Sequence, residues 1–307
     1  MSPSIGLQIF VGLPIIALIF RMLEQCRPLA RQRLLRRGWK DDIASYVLGC
    51  YLGQFSSAAC LGAMLFLRHE TGFDFGRLAA VQPGWLQILE IVLISDLLGY
   101  LFHRLLHSNP WLWRFHKVHH TSNHMDWLAA ARLHPVDKLL GDFVQFVPLL
   151  CLGFGDGPLL IYVSILGFQM FLNHSNARIN LGQLRWLIAG PDFHQWHHCE
   201  DPSAYNRNFA PHLVIFDRLF GTAHIPKERS RPWKYGVRES APEGFWRQLV
   251  HPFQETVLAA RTRLRPQSFD LRDWASRTKV QLLRREPSYE IRAALLFAVL
   301  VRHRLIA

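Results

Sequence analysis

Ile43-Ala-Ser-Tyr-Val-Leu-Gly-Cys-Tyr-Leu-Gly-Gln-Phe-Ser-Ser-Ala-Ala-Cys-Leu-Gly-Ala-Met-Leu-Phe-Leu67 is a run of 25 residues without a charged side chain. A helix crosses a hydrocarbon core with about 20 predominantly apolar residues, so this stretch predicts a membrane span. A shorter uncharged run, Ile5–Phe20, is interrupted by Pro14. It lacks the positive leader and small-residue cleavage site of a signal peptide and reads as an anchor helix, with a re-entrant or surface helix as the alternative. Trp85–Phe102 is a third candidate although it contains Glu90 and Asp96; ionisable groups at such depth usually face a protein interior and mark a site. Phe143–Gly155 and Gly157–Leu172 are both short for a full span, and Gly153, Gly155, Asp156, Gly157 and Pro158 hinge them. They predict a hairpin that enters and returns on one side. The expected fold is all-α: an integral-membrane bundle of about three spanning helices and a short helical hairpin, capped by a cytosolic histidine-rich helical domain.

The composition agrees. Of 307 residues, 50% are hydrophobic and 19% charged, which excludes a disordered chain, a collagen-like repeat and a disulfide scaffold. A large soluble helical protein is the competing class, and the charge-free run argues against it. Five cysteines without CxxC spacing predict free thiols. The net charge of +12 is uneven: residues 222–307 hold 17 Lys/Arg and 8 Asp/Glu. That tail, with the amphipathic stretch Ile291–Ile306, predicts contact with anionic lipid; a docking face for an acidic electron donor is the alternative. No recognition motif accompanies the charge, so nucleic acid is not an expected partner. Between the first two runs, Leu23–Lys40 carries Arg27, Arg31, Arg33, Arg36, Arg37 and Lys40 against Glu24. Basic loops stay cytoplasmic, which puts the later helix ends and the tail on the cytoplasmic side, in a bacterial inner membrane.

Sixteen histidines stand out. His103-Arg-Leu-Leu-His107 is followed by His116-Lys-Val-His119-His120 and later by His194-Gln-Trp-His197-His198. Composition alone would produce a given HxxHH pattern about 0.04 times in such a chain, and it occurs twice. Residues three and four apart share a helix face, so each box is expected to aim its imidazoles at one point. Imidazole suits zinc, copper, iron and nickel, and eight histidines exceed the three or four ligands of one zinc; two metal ions are the economical reading. His174, in Asn173-His174-Ser175-Asn176, joins as a further ligand, and His134 before Pro135 is a possible additional one. Asp96, seven residues before His103, is expected to accept an N–H from a ligand histidine and fix its tautomer. His124 is placed outside the set, and His69, His212, His224, His251 and His303 read as isolated surface or hydrogen-bonded residues. Cys199 reads as a bystander.

These residues resemble the fatty acid hydroxylase / sterol desaturase superfamily of membrane di-iron enzymes. Asp96 to His107 matches its first box, Phe115-His116-Lys-Val-His119-His120-Thr-Ser the second, and Pro191-Asp-Phe-His194-Gln-Trp-His197-His198 the third. Asn206-Arg-Asn208-Phe209, followed by Phe216-Asp217-Arg-Leu-Phe-Gly221-Thr222, is similar to the segment that closes the domain. Arg132-Leu-His134-Pro135 and His174 look most like the bacterial sterol-desaturase-like and alkylglycerol-monooxygenase-like branch. One departure separates the chain from fatty acid 2-hydroxylases: the position four before His174 is Met170. The resemblance implies anchor helices over 1–89, a di-iron domain over 90–222 and a basic cytosolic tail over 223–307.

It also implies O2-dependent hydroxylation or desaturation of a membrane lipid. The implied ligands are His103, His107, His116, His119, His120, His194, His197 and His198, with His174. Oxidation of an unactivated C–H bond requires a redox-active metal, which zinc is not. Two iron ions are therefore expected, zinc being able to replace them on purification. Without a CxxC cluster or GxGxxG fingerprint, electrons are expected from an external ferredoxin or cytochrome with its reductase. Two other classes compete: a membrane metal transport or binding protein, whose ligands would be spread through the spans, and a di-zinc hydrolase using a metal-bound water.

Overall fold

The computed structural model describes residues 5–72, 79–226, 231–239 and 241–261, with side chains through 255; Ile291–Ile306 and His303 lie outside them. Three helices are long and apolar enough to cross a membrane: α1 (Ile5–Cys26), α2 (Trp39–Thr71) and α3 (Gly84–Ser108). They mark an integral membrane protein. α1 tolerates Pro14 because a π-type turn over Gln8–Gly12 precedes it and Pro14 falls in the first turn of the following α segment, where its missing N–H is harmless. Its outward side chains, such as Phe10 and Leu18, are exposed apolar groups, as a bilayer face requires. α2 runs 33 residues, about 50 Å at 1.5 Å per residue. Gly38 (φ 86°) precedes it and Gly72 (φ 64°) ends it, both left-handed positions that favour glycine.

α4 (Pro110–His120) follows α3 after Asn109, whose side chain caps it by accepting from the Trp111 and Leu112 N–H groups. The expected hairpin is α5 (Pro135–Leu152) and α6 (Asp156–His174), joined through Gly153 at φ 72°. Their 18 and 19 residues exceed the uncharged runs because each helix carries polar turns at its histidine-bearing end. Short α7 (Pro191–His197) and α8 (Ile215–Leu219) follow, then α9 (Phe245–Arg261). Among the described residues there is no strand, only the isolated bridges Pro28↔Ala177, Ile188↔Leu213 and Cys199↔Tyr235.

One end of the bundle is tied together by buried polar groups. Glu24, at the end of α1, accepts from the backbone N–H of Trp127 and of Asn176, each at 2.9 Å. Arg36 bridges Asp42 and Asp126 at 2.6 Å each, and Arg132 holds the other Asp42 oxygen at 2.6 Å. The basic link between α1 and α2 is thus folded onto the 126–132 segment. Paired buried charges of this kind are strongly destabilising to break singly. Phe20, Trp127 and Phe171 form the apolar core beneath. Lys117 on α4, with 4% side-chain exposure, binds Glu239 and Glu255 and so fastens α9 to the same end.

Candidate metal centre

Every histidine box sits at that end. His103 and His107 occupy the last turns of α3; His116, His119 and His120 lie on α4; His174 ends α6; His194 and His197 lie on α7, and His198 caps it. Nine histidines converge into two groups: His103, His107, His116, His120 and His197 in one, and His119, His174, His194 and His198 in the other. Within each group the candidate ligand atoms all lie within 4.8 Å of one another. The groups adjoin, with the rings of His120 and His198 stacked at 4.3 Å.

The expectation that each box aims at a single point holds for His103 and His107 and is corrected for the two HxxHH boxes. His116 and His120 go to the first group and His119 to the second; His194 and His198 go to the second and His197 to the first. At about 100° per residue, positions i and i+4 lie about 40° apart around a helix, whereas i+3 lies about 60° from i and about 100° from i+4, on the far side of i. Each HxxHH box therefore serves both groups and binds them into one centre.

Hydrogen bonding fixes the tautomers. The Nδ1 atoms of His103, His119, His174 and His197 contact the backbone carbonyls of Phe209, Arg132, Met170 and Arg207 at 2.7–3.1 Å. His116 Nδ1 lies 2.8 Å from Asp137 Oδ2. Carbonyls and carboxylates accept only, so each Nδ1 carries the hydrogen and each Nε2 of the neutral ring is a bare lone pair. Yet His103 Nε2 lies 3.0 Å from His116 Nε2, and His174 Nε2 3.1 Å from His119 Nε2. Between neutral rings no proton is left to join those pairs. The buried Nε2 atoms of His107 and His197 have no hydrogen-bond partner among the described residues. Lone pairs converging on one another need a cation between them.

A proton is the wrong cation. Burial, reinforced by neighbouring imidazoles, holds the pKa of His119, His120, His194 and His198 well below the usual range. Burial likewise takes His197 down to about 3. These rings stay neutral at ordinary pH, the state in which imidazole ligates a metal. The donor set fits two nitrogen-bound metal ions.

Other predicted residues fall elsewhere. His134 uses both ring nitrogens, Nδ1 accepting from Val136 N–H to cap α5 and Nε2 donating to the Leu249 carbonyl, and it joins neither group. Asp96 does not serve a clustered histidine. Seven residues of helix separate it from His103 by about 10 Å along the axis, and its carboxylate instead takes the N–H groups of His212 and Leu213 and the His212 ring. His124, His69, His212, His224 and His251 also lie outside both groups. The carboxylate that does meet a clustered histidine, Asp137, escaped notice because it follows His134-Pro135 in a stretch without a histidine pattern. Phe209 packs on His103, His107 and His197. Its segment is set by Asn206 and Asn208, left-handed at φ 55° and 58°, as asparagine tolerates. Asp217 accepts from the Phe209 and Ala210 N–H groups.

A match to the fatty acid hydroxylase family covers residues 88–222 and so takes in all nine histidines. Those residues are similar to that family. The chain also has similar curated proteins. The chain is 32% identical over 173 residues to an ornithine lipid hydroxylase of Rhizobium tropici, spanning 55% of this chain and 52% of that protein. It is 29% identical over 145 residues to an alkylglycerol monooxygenase of Xenopus tropicalis, covering 47% and 31% respectively. It is also 29% identical to a cholesterol 25-hydroxylase-like protein of Danio rerio over 156 residues, 48% of this chain and 60% of the relative. The chain thus spans about half, or less, of the length of the first two relatives. No solved structure matches it.

Proposed function

We propose that the protein is a membrane-bound, O2-dependent di-iron hydroxylase of a membrane lipid. The observation that carries this reading is the pair of imidazole groups with facing, unprotonated Nε2 atoms at the end of an apolar helical bundle. The residues that would hold the ions are His103, His107, His116, His120 and His197 for one, and His119, His174, His194 and His198 for the other. Bound iron would supply the reductive activation of O2 that oxidation of an unactivated carbon needs. The chain's own residues orient the rings through the Phe209, Arg132, Met170 and Arg207 carbonyls and exclude water from seven buried imidazoles. His103 and His107 alone of the nine are only partly buried, beside outward Leu101, Leu105 and Trp111. That edge suits a lipid arriving laterally, its tail remaining in hydrocarbon.

In this reading residues 1–89 anchor, 90–222 carry the centre and 223–307 form a basic tail. The basic link of residues 27–40 folds onto the histidine-bearing end, which supports a cytoplasmic centre. Electrons come from a separate ferredoxin or cytochrome. The hydroxylase and monooxygenase names of the relatives favour hydroxylation over desaturation. The test compares lipid extracts, by mass spectrometry, from cells expressing the intact protein or His119→Ala. A lipid gaining 16 mass units only with the intact protein and only in O2 is expected. A loss of 2 units would make it a desaturase, and activity with zinc in the absence of O2 a hydrolase.

A further inference from the structure

The two histidine groups have unequal supports. Among the described residues, Asp137 is the only carboxylate within hydrogen-bond reach of any of the nine histidines, at 2.8 Å from His116 Nδ1. His116 is central to the five-histidine group: its Nε2 lies 3.0 Å from His103 Nε2 and 3.2 Å from His120 Nε2. Both partners of the Asp137–His116 contact are about 5% exposed, so water screens it little. The neighbouring Lys138 is engaged with Asp142 at 2.8 Å and does not draw the carboxylate away. Among the described residues, the four-histidine group is backed only by neutral carbonyls, those of Arg132 and Met170. Asp137 is held in the first turn of α5, which His134 caps from one side and anchors to Leu249 on the other.

Resting on the dinuclear reading above, we propose that Asp137 is a positioning residue that makes the two metal positions unequal. It holds the His116 ring with its Nε2 turned into the five-histidine group and raises the basicity of that nitrogen. It also places the nearest full negative charge beside a cation otherwise surrounded by neutral ligands. Carboxylates behind ligating imidazoles typically change metal affinity 10–100-fold, so the five-histidine position should bind more tightly than imidazoles alone would allow.

The test uses the full-length protein in detergent and redox-silent Zn2+ competed against a chelating indicator, with bound metal counted by mass spectrometry. The intact protein is expected to take two ions. Asp137→Asn, of the same shape and able to accept the same hydrogen bond without the charge, should weaken one site by about 10-fold, and Asp137→Ser by up to about 100-fold. The other site should be unchanged. In a His116→Ala background, Asp137→Asn should weaken the site by less than it does in the intact protein, because most of the carboxylate's effect passes through that ring. Equal weakening of both sites, no weakening, or loss of the folded protein in both Asp137 variants would overturn the proposal. Fewer than two ions in the intact protein would instead overturn the dinuclear reading itself.

Discussion

The five-histidine and four-histidine groups use the same side chain and lie against each other, yet they meet different surroundings. The first is less completely covered, with His103 and His107 only partly buried and Trp113 packed 4.8 Å from the His107 ring. A carboxylate stands behind it. The second is buried throughout, each of its histidines 7% exposed or less, and backbone carbonyls stand behind it. An apolar substrate and a small oxidant need a way in, whereas a site that only holds charge is better sealed; burial strengthens every electrostatic contact within it. On the proposed reading, the difference would put access at the first group and shielding at the second.

The largest effect should come from breaking the sealed group. His119→Ala removes one of its four donors and leaves His174 Nε2 without the nitrogen that faces it at 3.1 Å. Lipid hydroxylation should fall to background and the ion count per chain should drop by at least one. Retention of both ions would remove His119 from the donor set.

Acid should act next, and on both groups. In the metal-free protein His119, His120, His194, His197 and His198 are held neutral by burial, while in the unfolded chain they titrate near 6.5. Below pH 6.5 the unfolded state therefore binds more protons than the folded one, and stability falls as pH falls. Each such histidine can contribute about 1.4 kcal/mol per pH unit. Chelator-treated protein should lose thermal stability steeply from pH 6.5 to 5, and metal loading should raise the whole curve without flattening it. A melting temperature independent of pH in the metal-free form would show that the rings are not buried neutral.

A smaller effect is expected behind the five-histidine group. Asp217 is fully buried and accepts from the Phe209 N–H at 2.9 Å, the Ala210 N–H at 2.7 Å and the Thr222 hydroxyl at 2.6 Å. Asp217→Asn would turn an NH2 toward at least one of those donors, costing about 1–3 kcal/mol. Because the Phe209 carbonyl holds His103, the five-histidine ion should also be released more readily, which a chelator titration reads. An unchanged melting temperature would break that link.

How far the residues could be read in advance follows from the range of the forces involved. The spans were legible because a hydrocarbon solvent demands a long uncharged run wherever it occurs, and Trp39–Thr71 contains the whole of Ile43–Leu67. The nine clustered histidines were legible as types, because i, i+3 and i+4 spacings are local. Their division was not: it depends on how α4 and α7 face each other across the bundle, and only that placement sends His119 and His197 away from their box neighbours. Asp96 and Asp137 show the same limit. Helical phase put Asp96 on the face of His103, but axial rise carried it to His212, whereas Asp137 reaches His116 from a different helix. Carbonyl partners such as Arg132 and Met170 leave no trace in side-chain identity at all.

The smallest effect should come from the residue adjoining the sealed group that is not nitrogen. Cys199 follows His198, is 4% exposed and packs with Trp196 and Ala204. Burial pushes its thiol up to about 11, so at neutral pH it is not the thiolate that ligates metal. Its sulfur has only a long contact, 4.0 Å, to the Asp201 carbonyl. Cys199→Ala removes one small buried group and should cost about 1 kcal/mol, leaving hydroxylation and the two-ion count unchanged. Cobalt-loaded protein gives the sharper reading, since a thiolate ligand adds an intense near-ultraviolet charge-transfer band. Such a band in the intact protein, lost in Cys199→Ala, would mean that the four-histidine group is not closed by imidazole alone, and that the contrast with its neighbour lies in the donors rather than in what stands behind them.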